Sequence, residues 1–201
     1  SSLSVADLQE ICSIYKSKIL SVLNHSFPDN PHLQLTNSIK SVFLSWNGER
    51  AKKYRKIEGI PQNLGTAVTV QCMVFGNMGN SSATGVAFTR NPSTGHNDLY
   101  GEWLLNAQGE DVVAGTRTPL PINNHTKTII TNKQKTLYDL FPKSYTSLIN
   151  IKQILENFYK DMQDIEFTIE KDKLWMLQTR NGKRNGYAAV KIGLDMLDEK
   201  I

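Results

Sequence analysis

The sequence contains only two cysteines, Cys12 and Cys72, and neither stands in a Cys-x-x-Cys or Cys/His spacing. That excludes a disulfide framework and a structural zinc site, and both thiols are expected to be reduced and packed. No apolar run approaches the roughly 20 residues of a membrane-spanning helix, and no basic-then-apolar leader opens the chain. The excess of positive charge is small, +4 from 23 Lys and Arg against 19 Asp and Glu, too mild to demand nucleic acid though suited to an anionic ligand. There is no Walker A loop, no GxGxxG, no GxSxG nucleophile elbow, no internal repeat and no low-complexity tract. The four histidines, His25, His32, His96 and His125, are isolated from Ser, Cys and carboxylate partners and receive no role.

What remains is an ordinary globular composition, 201 residues with 39% hydrophobic and 21% charged, enough for one domain or two intimate lobes. The chain opens SSLSVADLQE without a Met and ends in helical pattern, KIGLDMLDEKI, as an excised fragment would. A presequence lost with the remainder would not be visible.

Residues 1–60 read as helical. Ser4 caps, with Asp7 three residues on, and Leu8, Ile11, Cys12, Tyr15, Ile19 and Leu23 keep helical spacing. A second periodic stretch runs through Leu35, Ile39, Val42, Phe43 and Trp46, pauses at Asn47-Gly48 and resumes through "ERAKKYRKIEG". Residues 61–201 change character. "TAVTVQCMVFG", "TGVAFTR", "LYGEWLLN" and "TKTIIT" are β-branched or aromatic runs, each predicted as a strand. A helix through Leu148, Ile151, Leu155, Phe158 and Met162 follows, then a hairpin, then a helix around Tyr187, Val190, Leu194 and Leu197. Grouped strands and helices predict α+β, a mainly antiparallel sheet with flanking helices behind a helical segment.

The hairpin, "DIEFTIEKDKLWMLQTR" at 164–180, carries the chemistry. Alternation puts Asp164, Glu166, Thr168 and Glu170 on one face and Ile165, Phe167 and Ile169 on the other. A two-residue loop with regular pairing would oppose Glu166 to Leu177 and Asp164 to Thr179, mixing polar with apolar. A three-residue loop, Lys171 to Lys173, opposes Glu166 to Gln178 and Asp164 to Arg180, and is therefore expected. Its turn half would then place Thr168, Met176 and Leu174 on the polar face. Carboxylate and amide oxygens suit Mg²⁺ bound with substrate phosphates, and Arg180 is a bidentate phosphate donor. These are parts that phosphoryl transfer needs. A solvated strand pair with a surface Asp164–Arg180 ion pair has the same spacing, and the pattern alone does not separate the two.

"VFGNMGNSSATGVAFTRNPSTG", residues 74–95, has four glycines, as a backbone approaching phosphate or a series of tight turns would. In "NAQGEDVVAG" the Glu110-Asp111 pair precedes a short apolar run read as a strand, and suits metal, ribose or a turn cap. "RAKKYRK", 50–56, is a basic run, more often a solvated helix face than a polyanion site.

Together, "GTAVTVQCMVFGNMGNSSATGVAFTRNPSTG", "LLNAQGEDVVAGTRTP" and "DIEFTIEKDKLWMLQTRNGKR" resemble the pyruvate phosphate dikinase family, from about residue 30 to the end. The resemblance implies the later part of an ATP-grasp nucleotide-binding domain. It implies an enzyme that interconverts ATP, phosphate and pyruvate with AMP, pyrophosphate and phosphoenolpyruvate, using Mg²⁺. A swivelling phosphohistidine domain and a C-terminal barrel would lie elsewhere in the parent chain, a homodimer when full length. Carried over by position, Asp164, Glu166 and Gln178 are MgATP and metal ligands, and Arg180 is the catalytic guanidinium beside the phosphates. Gln71, Met73 and Val74 line the adenine pocket, and Glu110 is a nucleotide-side residue. The family's phosphate-gripping Lys and Arg, Gly-rich lid and histidine motif are absent, so the fragment alone is expected to be inactive. Neither nucleic acid nor membrane is expected as a partner. The compartment implied is cytoplasmic, or organellar if a presequence has been removed. The related phosphoenolpyruvate synthase and glucan dikinase share this architecture, and a non-enzymatic polyanion-binding module is the reading from charge alone.

Overall fold

The computed structural model describes residues 3–115, 117–129 and 131–201, and the chain divides into two compact units, Ser1–Gln71 and Cys72–Ile201. The first unit holds three helices, α1 (Val5–Leu23), α2 (Pro31–Ser45) and α3 (Glu49–Ile57). The expected cap forms as a reciprocal box: the Asp7 amide donates to Ser4 Oγ at 3.2 Å, and the Ser4 amide donates to Asp7 Oδ2 at 2.7 Å. Asn30 caps α2 just ahead of Pro31, whose missing N–H costs nothing at a first helical position. No side chain of α1 or α2 is buried. The basic run falls on α3, where Arg55 turns inward: its guanidinium stacks 3.8 Å from the centre of the Trp46 ring and donates to the Trp46 carbonyl at 2.7 Å.

The second unit contains, in chain order, β1 (Ala83–Phe88), β2 (Tyr100–Leu105), α4 (Gly109–Val113), β3 (Leu120–Pro121), α5 (Leu137–Leu140), α6 (Pro142–Tyr159), β4 (Gln163–Glu170), β5 (Lys173–Asn181) and α7 (Gly186–Asp198). The strands make one sheet in the order β3-β2-β1-β4-β5, antiparallel at every pairing. The α+β expectation holds. One sheet face supplies Ala87, Trp103, Ile165, Phe167 and Ile169 to a core shared with Leu137, Phe141 and Leu148. Gly85 belongs to this face because a side chain there would collide with the Phe167 ring, 2.5 Å from its Cζ. A second cluster of Met162, Ala188, Ile192 and Met196 seats α7, with Phe88 against it.

Four expectations fail, each for a local reason. "TAVTVQCMVFG" forms no strand, because among the described residues no strand pairs with it. "TKTIIT" is not a strand either. A 3₁₀ turn at Asn124–Thr126 is held by the Asn123 side chain, and the Thr131 hydroxyl takes the Thr128 amide at 2.8 Å. Side chains there satisfy the backbone locally and outcompete a ladder; Ile130 lies outside the described residues. The apolar run after Glu110-Asp111 is helical, since Asp111 and Gln108 make a capping box that opens α4. Cys12 and Cys72 are free, as expected, but exposed rather than packed: α1 buries nothing, and Cys72 sits in the unpaired segment.

The hairpin corrects the sequence reading most usefully. Its loop has two residues, Lys171 and Asp172, with φ of 49° and 65°, the left-handed pair of a type I′ turn, and Glu170 faces Lys173. Yet Glu166 does oppose Gln178 and Asp164 does oppose Arg180, because the register shifts between Glu166 and Phe167. Phe167 pairs with Met176 and Glu166 with Gln178, so Leu177 is the extra residue of a β-bulge. The bulge also moves Met176 and Leu174 off the expected polar face: both pack against the core, opposite Phe167 and Ile169, and Trp175 takes the place opposite Thr168.

Candidate functional site

Directly opposed residues in an antiparallel ladder share a face, so the register defines the site. One row across the sheet reads Glu102, Val86, Glu166, Gln178; the next reads Tyr100, Phe88, Asp164, Arg180. Both lie on the face away from Phe167 and Ile165. Arg180 Nε donates to Asp164 Oδ2 at 2.7 Å, which raises the guanidinium pKa first through that hydrogen bond and then through charge. The Arg180 side chain is 61% exposed, whereas Asp164 is 13% exposed. A largely sheltered carboxylate therefore fixes the inner nitrogen of an exposed fork, leaving the outer nitrogens to face solvent.

Beside this pair, the side chains of Glu166 and Gln178 make no hydrogen bond among the described residues, although each is within a strand spacing of the other. Nor do three or more His, Cys, Asp or Glu gather anywhere among the described residues closely enough to share an ion. An all-protein cage is thus not what the donors offer. One or two carboxylates and an amide oxygen fit a cation that keeps waters and takes its remaining ligands from a phosphate chain, as Mg²⁺ does.

The other expected residues are not on these strands. Gln71 is the last residue of the first unit. Met73 and Val74 follow Cys72 at the start of the second, in a segment without regular structure; Met73 is exposed and Val74 half-buried. Glu110 is exposed in the first turn of α4, where its side chain makes no hydrogen bond among the described residues. That turn is tied to the Gly-rich stretch: the Gly76 amide donates to Gln108 Oε1 at 3.0 Å, and its carbonyl accepts from Ala107.

Sequence reasoning missed Glu102. It lies two strands from Glu166, about 10 Å by strand spacing, and borders a hollow of about 510 Å³ floored by Val86, Phe88 and Tyr100 and edged by Thr118 and Thr126. The alternation Tyr100, Gly101, Glu102, Trp103 was the available signal, but only the β1 pairing shows that it continues the Glu166 row. Arg90 was likewise read as the end of a strand run. It is fully buried, with its guanidinium held by Glu156 and Glu199.

The family model described as the pyruvate phosphate dikinase AMP/ATP-binding domain matches residues 21–129 and 121–200. The chain belongs to that family. The pyruvate, phosphate dikinase of Rhizobium meliloti is 54% identical over 98% of this chain and 22% of its own length. The maize protein named pyruvate, phosphate dikinase 1, chloroplastic is 52% identical over 98% of the chain and 20% of its own. The corresponding chloroplastic protein of Mesembryanthemum crystallinum is 51% identical over 99% and 20%. The chain thus spans about a fifth of the length of these curated relatives. The second matched segment runs through Glu166 and Arg180. No described helix is long and apolar enough to cross a membrane.

Proposed function

We propose that these residues form the ATP-binding part of a longer ATP-grasp phosphotransferase that interconverts ATP, phosphate and pyruvate with AMP, pyrophosphate and phosphoenolpyruvate. The observation that carries this reading is the in-register quartet of Asp164, Glu166, Gln178 and Arg180 on the sheet face opposite the core. Glu166 and Gln178 would hold Mg²⁺ against the triphosphate, with the second oxygen of Asp164 beside them; when bound, the cation neutralises charge on the phosphate oxygens. Arg180, oriented by Asp164, presents its outer nitrogens to the transferring phosphoryl group, whose transition state is stabilised mainly by placed positive charge. Gln71, Met73 and Val74 line the adenine pocket, and Glu110 approaches the nucleotide from the α4 side.

The phosphohistidine acceptor and the site for pyruvate and phosphoenolpyruvate lie in other parts of the longer protein, a swivelling domain and a C-terminal barrel, within a homodimer. Its compartment is the cytoplasm, or an organelle where a presequence directs import. The test is thermal unfolding of the longer protein with increasing MgATP. Binding raises the midpoint by mass action, by an amount equivalent to about 2.7 kcal/mol at a hundred times the Kd. Glu166→Ala abolishes most of the rise; an equal rise in the variant removes the quartet from the site. A requirement for both phosphate and pyruvate separates this enzyme from a phosphoenolpyruvate synthase or a glucan dikinase.

A further inference from the structure

Arg180 stands on β5, at the edge of the described sheet and beyond the bulge at Leu177. An edge strand is gripped from one side, and a bulge interrupts the ladder that carries register outward from the turn. Were the bulge taken up, each residue from 178 to 181 would move one place along β4. Gln178 would then face Ile165, Thr179 would face Asp164 and Arg180 would face Gln163, all on the opposite side of the sheet. The Asp164–Arg180 hydrogen bond sits at the end of a long side chain, too far out to hold the backbone it grows from.

Behind the site, on the core face, lies a residue that the phosphoryl chemistry does not use. Gln163 is fully buried, and its side chain bonds to both neighbours of Arg180: Oε1 accepts from the Thr179 hydroxyl at 3.1 Å, and Nε2 donates to Asn181 Oδ1 at 3.2 Å. Nε2 also lies 3.2 and 3.1 Å from the Asp161 and Met162 carbonyls. The backbone of Gln163 is tied to the other side of β4. Its amide donates to Thr89 Oγ1 at 2.9 Å and its carbonyl accepts from the Thr89 amide at 2.8 Å, with Thr89 itself buried just past β1. One residue thus joins the interior of the sheet to the two positions flanking Arg180. With the bulge taken up, Thr179 and Asn181 would pass to the far face, and a carboxamide without access to water would lose both.

We propose that Gln163 is a positioning residue for Arg180, a buried pin that holds residues 179 and 181 and so fixes where the guanidinium emerges on the polar face. The consequence for phosphoryl transfer rests on the role given to Arg180 above; the pin rests on the hydrogen bonds alone. Charge placed for a transition state is sensitive to position, and a displacement of about 1 Å can lower a rate by about 100-fold.

Two measurements on the longer protein test the pin. Gln163→Met keeps the volume and removes both bonds. In hydrogen exchange it speeds the amides of 178–181 by at least about 10-fold and leaves those of 173–176, on the turn side of the bulge, as they were. In steady-state phosphoryl transfer from ATP it lowers kcat by at least about 10-fold, but by less than about 2-fold once Arg180→Ala is present, since a residue that acts through Arg180 then has nothing to position. Thr179→Val, on a half-buried edge position, shows the same pattern if the Gln163 variant does not fold, and Thr179→Ser, which keeps the hydroxyl, retains most of the rate. Exchange that speeds evenly along β5 overturns the proposal, and so do losses in kcat that multiply in the double variant, because either makes Gln163 a general support of the fold. Local exchange at 178–181 with kcat indifferent to Arg180→Ala leaves the pin standing and removes the catalytic role of Arg180.

Discussion

Replacing Arg90 by Met is expected to unfold the second unit more readily by about 3–5 kcal/mol, the cost of stranding a buried charge. The guanidinium has no solvent exposure and makes four hydrogen bonds: Nε and Nη2 to Glu156 at 3.1 and 3.0 Å, and Nη1 and Nη2 to Glu199 at 3.2 and 2.6 Å. The Glu156 side chain is only 1% exposed, so it cannot turn to water when Arg90 is gone. Glu199, following α7 and about a third exposed, can. The damage should therefore fall on Glu156, and Arg90→Met/Glu156→Gln should recover at least about 2 kcal/mol relative to the sum of the single variants. Lys152 remains near Glu156, and burial already lowers its pKa; keeping an amide at 156 leaves that ammonium a polar neighbour. The assay is urea unfolding followed by tryptophan fluorescence in a Trp46→Phe background, so that Trp103 and Trp175 report the second unit alone. A single-variant cost under about 1 kcal/mol, or strictly additive variants, would refute the account of a buried charge held by its partners.

The same cluster predicts a pH response. Arg90 holds the Glu199 carboxyl below the ordinary glutamate value, so its contribution is full above that value and lost as pH falls through the lowered one. Acid titration of stability should show this limb in the wild type and a flatter one in Arg90→Met. Gly85→Ala should cost about 1–3 kcal/mol through collision with Phe167, and Phe167→Leu in the same chain should relieve part of it. Gly101→Ala meets the Val86 carbonyl oxygen at 2.3 Å, which is backbone, so no neighbouring side-chain change should rescue it. Lys171→Asn with Asp172→Gly should stabilise the hairpin by about 1–2 kcal/mol, since both residues sit at positive φ. Loss of stability in that double variant, measured by thermal unfolding, would count against the two-residue turn with both residues at positive φ.

The hairpin shows how much of the site could be read from sequence. Eleven residues separate Glu166 from Gln178, an odd number, so a ladder that opposes these two must leave one residue outside the pairing. Binary pattern demanded the opposition, and that demand was right, because burying Arg180 and Gln178 against Ile165 was the costlier alternative. Where the odd residue goes is a different question. Three residues in the loop and two in the loop plus a bulge satisfy the same count. Pattern alone cannot choose, since Lys171-Asp172 lacks the Gly that announces a type I′ turn. The choice was made by contacts far away in sequence. The Lys171 amide donates to Ser82 Oγ at 3.1 Å and the Asp172 amide to the Ser81 carbonyl at 2.8 Å, fastening a two-residue loop to the segment before β1. Residues 66–75 fail for the same reason with the opposite outcome. Their propensity was legible, but a strand is a property of two segments, and among the described residues no second segment pairs with this one. Leu177 records the difference between the two cases. Where a partner strand was present, the chain absorbed a one-residue mismatch in a bulge and still aligned Asp164 with Arg180.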